Sequence, residues 1–118
     1  MKNPVKAMMQ EQAAIGTFLT LGSPAVSEML ADVGYDFVII DTEHGPLSVE
    51  SAMAHMQALG KGPCVPFIRV AWNDVALIKR ALDIGAYGVV VPMVNTAEEA
   101  RRAVSYSKYH PLGMRGFG

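Results

Sequence analysis

Apolar residues along this chain alternate between two rhythms. The stretches IGTFLTL (15–21), DFVIID (36–41), VPFIRVA (65–71) and GVVVPMV (88–94) are short, rich in β-branched residues and mostly apolar at consecutive positions. A strand buried on both faces reads this way, and parallel strands covered by helices are of that kind. The segments between them carry apolar residues at helical spacing; in the third, Val75, Ile78 and Leu82 fall on one face. Start and stop signals bracket these segments. Ser23-Pro24 supplies an N-cap and a proline at the first helical position, Ser48 caps the second helix and Asn73 the third, and Thr96 with Glu99 forms a capping box for the fourth. Gly34, Gly60 and Gly85 sit where helices should end. The pattern predicts β-α four times over, an α/β fold with a parallel sheet.

Two segments echo each other. LADVGYDFVII (30–40) and ALDIGAYGVVV (81–91) share a frame of helix end, Asp, aliphatic, Gly, three residues and three aliphatics. Repetition at a distance of two βα units is compatible with a (β/α) barrel. A complete barrel has eight such units and typically about 250 residues. The expectation is a single domain over residues 1–118, the N-terminal four βα units of a (β/α)8 TIM barrel, whose edges and inner face need covering by something else.

Composition narrows the function classes. A formal net charge of −1 over 118 residues gives no electrostatic reason to expect nucleic acid or an anionic membrane as partner. The longest apolar run is far too short to span a bilayer, and MKNPVKAMMQ has no apolar core of the sort a signal peptide needs. The single cysteine, Cys64, excludes an internal disulfide framework and fits a reducing compartment, so a cytoplasmic protein is expected. The eight methionines are scattered and read as core filling.

In parallel α/β folds ligands bind beyond the carboxyl ends of the strands. Here the second strand ends in Asp41 and runs on to Glu43 and His44; the third carries Arg69 near its end, followed by Trp72-Asn73-Asp74; the fourth ends in Pro92-Met93-Val94-Asn95. Carboxylates, an imidazole and a guanidinium are thereby directed to one rim. Blander readings stand beside this one. Asp41 and Glu43 can cap the next helix or lie in solvent, and His44 can be an ordinary loop histidine. Arg69 can be structural, bridging Asp41 or Glu43, since a guanidinium inside PFIRVA is costly unless paired. His55 and His110 read as surface residues; Glu28, Lys79, Arg80, Arg101 and Arg102 read as solvated helix faces. Asp32 and Asp83 lie at helix C-termini, where the helix dipole disfavours a negative charge. A buried hydrogen bond is expected for Asp32.

The motifs DTEHGP, RVAWND, IKRALDIGA, VPMVNTAEEAR and YHPLGMRG, in that order between about Ile15 and Gly118, resemble the HpcH/HpaI aldolase family. The resemblance implies a (β/α) barrel, generally oligomeric, that splits 4-hydroxy-2-oxo acids into pyruvate and an aldehyde with a divalent metal (Mg2+, Mn2+ or Co2+). It implies that His44 is the catalytic base, that Arg69 stabilises the pyruvate enolate and that Asp83 raises the basicity of the histidine. It also implies that Asp41 lies beside the metal site, holding metal-bound water. Phe18 takes the place of an aromatic residue that is often Trp in the family. Asp83 ends a helix, hence lies at the far end of its own barrel from His44, so that pair would need a neighbouring subunit or an indirect link. The family's metal-binding Glu and Asp lie on later strands, beyond residue 118, and the resemblance therefore places no metal ligand in this chain.

The chemistry makes sense of these residues. Retro-aldol cleavage needs a base for the C4 hydroxyl and an electron sink at the C2 carbonyl. A neutral imidazole suits the first task. A chelated metal suits the second as a Lewis acid, and Arg69 adds fixed positive charge where the enolate oxygen develops. A Schiff-base lysine is the other solution, and no strand end here carries Lys. The expected function is that of a metal-dependent pyruvate aldolase, a carbon–carbon lyase, with activity in the complete barrel and not in this chain alone. The expected partners are a 2-oxo acid and the other half of the barrel or other subunits. Two rivals stay open: a non-catalytic half-barrel that serves as an assembly module, and a citrate-lyase-like C–C lyase acting on CoA thioesters.

Overall fold

A computed structural model describes residues 3–60 and 62–117. The chain order is α1 (Pro4–Met8), β1 (Gly16–Leu19), α2 (Pro24–Val33), β2 (Phe37–Asp41), α3 (Val49–Leu59), β3 (Val65–Arg69), α4 (Val75–Asp83), β4 (Val89–Val90) and α5 (Ala97–Ser107). The strands form one parallel sheet in the order β1-β2-β3-β4. Each βα crossover returns the chain to the same end of the sheet, so every strand points its carboxyl end at one rim.

Local signals explain most boundaries. Pro24 opens α2; Ser23 occupies the N-cap position but, against expectation, its side chain makes no capping hydrogen bond, whereas Ser48 and Thr96 close capping boxes with Ser51 and Glu99. Helix α4 departs from expectation: Asp74, not Asn73, is its N-cap, accepting from the N–H groups of Ala76 and Leu77. Asn73 instead donates through Nδ2 to the Glu99 carbonyl at 2.9 Å, tying the β3–α4 loop to α5. Helix α1 was absent from the sequence pattern, although Asn3-Pro4 has the same cap-then-proline signature as Ser23-Pro24; the Asn3 side chain accepts from the N–H groups of Val5 and Lys6. The two echoing segments do the same job twice. Gly34 and Gly85 both turn the chain out of a helix at positive φ, 102° and 104°, where a Cβ would be strained.

Strand β4 is shorter than its apolar run. It pairs with β3 only over Val89–Val90. Pro92 has no N–H to give a ladder, and Met93 adopts φ 54°, which swings the chain away from the sheet.

The sheet has two unlike faces. Leu19, Val38, Ile40, Ile68 and Val70 point toward the helices and form the buried core with Ala52, Leu59, Ile78 and Ala81. On the opposite, inner face Phe37 and Phe67 meet edge to face at 5.7 Å. Their rings occupy the space over Gly16 and Gly88, where an added Cβ would fall 2.3 Å and 2.6 Å from ring carbons. Large rings on the two middle strands, with a glycine in β1 and another immediately before β4, thus fill the inner face as one layer. On this face Phe37, Ile39 and Phe67 are only partly buried and Phe18 is half exposed.

Two expectations about polar residues are corrected. His55 is not a surface residue: it is fully buried in α3, and its Nδ1 lies 2.8 Å from Ser27 Oγ of α2. The α2–α3 contact encloses this pair, and burial pushes the imidazole below its ordinary value because the charged form loses solvation. Asp32 is exposed, without the buried hydrogen bond expected for it. No helix among the described residues is long and apolar enough to cross a membrane.

Candidate active site

The register of the two central strands builds the rim. Asp41 and Arg69 are Cα partners at the ends of β2 and β3, so their side chains emerge side by side on the inner face. Arg69 donates Nε–H to Asp41 Oδ1 at 3.0 Å and an Nη2–H to Oδ2 at 2.5 Å, a bidentate fork. Asp41 Oδ1 also accepts the backbone N–H groups of Glu43 (3.0 Å) and His44 (3.2 Å). Four donors thus converge on one carboxylate that is 1% exposed. The Arg69 fork is the largest influence holding the Asp41 carboxyl down to about 2; the two backbone N–H groups act in the same direction and burial opposes them. Asp41 in turn raises Arg69 above its ordinary value.

The same bonds shape the turn after β2. Thr42 donates both its N–H (3.0 Å) and its hydroxyl (2.7 Å) to the Arg69 carbonyl, clasping the two strand ends together. Sequence reasoning missed this role, though a β-branched hydroxyl directly after a strand is the signal for it. Gly45 follows within a tight turn, where a Cβ would lie 2.9 Å from the Asp41 carbonyl oxygen. His44 is thereby held at the mouth, with its side chain 71% exposed.

Glu43 stands between the His44 imidazole and the Arg69 guanidinium. Its Oε1 lies 3.5 Å from His44 Nε2 and its Oε2 lies 3.2 Å from Arg69 Nε. That Nε–H is directed at Asp41, so Glu43 Oε2 is buried near a positive charge without accepting a hydrogen bond. The expectation that Arg69 bridges Asp41 or Glu43 understates the arrangement, since it contacts both. Phe18 of β1 completes the group: the Arg69 guanidinium carbon lies 4.7 Å from the centre of its ring.

Asp83 is elsewhere. As the last residue of α4 it lies at the opposite end of the sheet from His44, and Arg115 Nη2 donates to its Oδ1 at 3.3 Å. Arg115 also lies over the ring of Tyr109, 4.7 Å from its centre, and the turn-rich tail is folded back here through Met114 N–H to the Ser105 carbonyl. An open cleft of about 530 Å³ lies along this tail, with Arg115 as the charged group in its wall. Five of the six candidate residues therefore gather at the carboxyl rim, and the structure does not bring Asp83 to them within one chain.

The comparisons with known proteins decide the family. The family model of the HpcH/HpaI aldolase/citrate lyase family matches residues 14–117. The chain belongs to that family. A 4-hydroxy-2-oxo-heptane-1,7-dioate aldolase from Salmonella dublin is 41% identical over 119 residues, covering 100% of this chain and 45% of the relative. Among solved structures, an HpcH/HpaI aldolase/citrate lyase family protein from Burkholderia cenocepacia J2315 superposes with a TM-score of 0.91 at 31% identity, over 99% of this chain and 49% of that one. An HpcH/HpaI aldolase from Desulfitobacterium hafniense DCB-2 gives a TM-score of 0.86 at 32% identity, over 96% and 44% of the two chains. The chain thus spans about half the length of these relatives and has the fold of four βα units of a TIM barrel, as its strand pattern implied.

Whether these residues could hold a divalent cation is a question of free donors. Among the described residues no group of three or more His, Cys, Asp and Glu side chains could hold a metal ion. Both oxygens of Asp41 are engaged by Arg69, and Glu43 Oε2 lies in the field of the same guanidinium. Oxygen-ligand sites need several converging carboxylates without a competing cation. The rim built by this chain does not fit a metal by itself.

Proposed function

We propose that this half-barrel forms part of a pyruvate aldolase that cleaves a 4-hydroxy-2-oxo acid to pyruvate and an aldehyde. The observation that carries the reading is the Asp41–Arg69 fork at the carboxyl rim, with His44 held three residues beyond Asp41 by the same carboxylate. In this reading the His44 imidazole takes the C4 hydroxyl proton as the C3–C4 bond breaks. The electron pair moves onto the pyruvate fragment as an enolate. Arg69, kept charged and oriented by Asp41, lies ready for the oxygen on which that charge develops. Proton return to C3 then releases pyruvate. Asp41 acts as the anchor of Arg69 and of the turn that carries His44. That role differs from the hold on metal-bound water that the resemblance implies.

Metal dependence belongs to the proposal as well. A divalent cation would supply Lewis acidity at the 2-oxo group, and we place its ligands at positions outside this sequence. The chain 1–118 by itself then gives no turnover. The remaining βα units, in the same polypeptide or contributed by assembly, would cover the inner face, and a homo-oligomer would offer Asp83 of one copy a route to His44 of another. Cys64 is buried and free, which suits a reducing compartment, and we place the enzyme in the cytoplasm.

The test is pyruvate release by the full-length protein from a 4-hydroxy-2-oxo acid with saturating Mg2+ or Mn2+. His44→Ala should lower kcat by about 10²–10⁴. Wild-type turnover in that variant, or turnover only of CoA thioesters by the unaltered protein, would remove the assignment.

A further inference from the structure

The inner face of β1 offers a contact that the reaction as described does not use. Phe18 is half exposed, and its register partner on β2 is Ile39. Arg69 stands on β3, so its side chain reaches past β2 to set the guanidinium over the Phe18 ring, 4.7 Å from Cζ to the ring centre. A carboxylate fork fixes one edge of a guanidinium but leaves a hinge about the line joining the two carboxylate oxygens. A ring beneath one face closes that hinge, because the cation is held against the negative face of the aromatic quadrupole. The two contacts restrain different degrees of freedom. Asp41 sets the edge through Nε and Nη2, and Phe18 sets the tilt. Nη1 makes no hydrogen bond among the described residues and is the nitrogen left for a ligand oxygen.

We propose that Phe18 is a positioning residue that fixes the tilt of the Arg69 guanidinium, so that its Nη1 edge is presented in one orientation to the oxygen of the developing enolate. This rests on Arg69 as the enolate-stabilising group. It assigns the aromatic side chain to the pyruvate half of the reaction, acting through Arg69, and not to contact with the departing aldehyde. Preorganisation of this kind costs nothing at the moment of reaction, whereas a swinging guanidinium must be ordered in each turnover. It also sets an order among side chains at this position: an indole attracts a cation more strongly than a phenyl ring, and an aliphatic side chain does not attract it.

The experiment uses the full-length protein with Phe18→Leu, Phe18→Met and Phe18→Trp, each checked for folding by circular dichroism. Two quantities are read: solvent exchange of the Arg69 Nε–H by ¹⁵N NMR without substrate, and kcat and KM for two 4-hydroxy-2-oxo acids that differ only in the aldehyde released. The expected result is faster Nε–H exchange in Phe18→Leu and a kcat lower by about two- to thirtyfold, the range a cation–π contact spans. The preference between the two aldehydes stays as in the wild type, and Phe18→Trp exchanges its Arg69 Nε–H no faster than the wild type and matches or exceeds its kcat. Unchanged Nε–H exchange in a folded Phe18→Leu or Phe18→Met protein overturns the proposal, as does an effect confined to the aldehyde preference. Full activity of Arg69→Lys together with faster exchange in Phe18→Leu would keep the brace and remove the enolate role. Inactivity of Arg69→Lys with unchanged exchange would do the reverse.

Discussion

At each end of the parallel sheet an arginine lies over an aromatic ring and reaches an aspartate. Arg69 stands over Phe18 and binds Asp41; Arg115 stands over Tyr109 and binds Asp83, with the same 4.7 Å from guanidinium carbon to ring centre. The chemical groups are alike and the consequences differ. Asp41 and Arg69 are partners on neighbouring strands, which brings carboxylate and guanidinium edge to edge as a fork and buries the carboxylate to 1%. Asp83 ends a helix and Arg115 lies in a folded-back tail, so their meeting is one contact of 3.3 Å with the aspartate side chain 40% exposed. Arg115 Nε is even left buried without a partner. Strand register, not residue type, makes one trio a rigid charged surface and the other a fastening.

The largest expected difference between the two trios is in activity. Arg69→Lys in the full-length protein should lower kcat/KM for pyruvate release by about 10²–10³, because an ammonium cannot hold the fork and also present a second donor edge. A lysine that restores near-wild-type turnover would reduce Arg69 to a structural partner of Asp41, and the two ends of the sheet would then differ only in burial.

Stability comes next. Asp41→Asn leaves Arg69 facing a neutral amide and should cost about 2–4 kcal/mol, the low side of what breaking a buried pair costs, since Arg69 keeps some solvent. Asp83→Asn should cost less than about 1 kcal/mol, the range of exposed ion pairs. Urea denaturation of both variants checks the contrast, and equal losses would undo it.

Acid titration sharpens the same contrast by a different route. The folded-state value of Asp41 is depressed to about 2 from an ordinary 3.8, with the Arg69 fork as the main cause. A depressed carboxylate contributes stability that is complete above its unfolded value and is lost as pH falls through the folded one. Melting temperature should therefore drop between about pH 4 and pH 2 by more in the wild type than in Asp41→Asn. Parallel acid profiles for the two proteins would show that the fork carries no net stabilisation.

Much of this arrangement was legible in the sequence, for reasons that can be named. Strand ends were readable because buried apolar runs stop abruptly: β2 ends at Asp41 as its pattern implied, and β3 carries Arg69 at its last position. The Ser48 cap and the Thr96–Glu99 capping box held because a cap is a local contest between a side chain and its own backbone. What stayed hidden depends on partners far along the chain. Asn73 looked like the cap of α4, but it serves α5, 26 residues away, which leaves the cap to Asp74. His55 falls on the buried stripe of α3 with Ala52 and Leu59, but an imidazole does not read as core by residue type; the packing of α2 on α3 and the hydroxyl of Ser27 make its burial acceptable. The shortening of β4 was visible in Pro92, which an apolar run had outweighed. The fork of Arg69 on Asp41 needed the strand register, which no single segment states.

The smallest expected effect is ionic. An exposed pair at 3.3 Å is screened by salt, whereas a buried fork is screened far less, because the Debye length falls to about 3 Å at 1 M ionic strength only where ions can enter. Asp83→Asn and wild type should therefore converge in stability between 0.05 M and 1 M NaCl, the difference shrinking from at most about 1 kcal/mol toward zero. Asp41→Asn should stay separated from wild type across the same series. Chloride is the salt to use, because sulfate and phosphate strengthen burial generally and would move all three proteins together. A salt-insensitive loss in Asp83→Asn would mean that the tail is held by more than this ion pair, with the Tyr109 ring under Arg115 as the contact to remove next. A salt-sensitive loss in Asp41→Asn would mean that water and ions reach the fork, and the register of β2 and β3 would then protect it less than its burial implies.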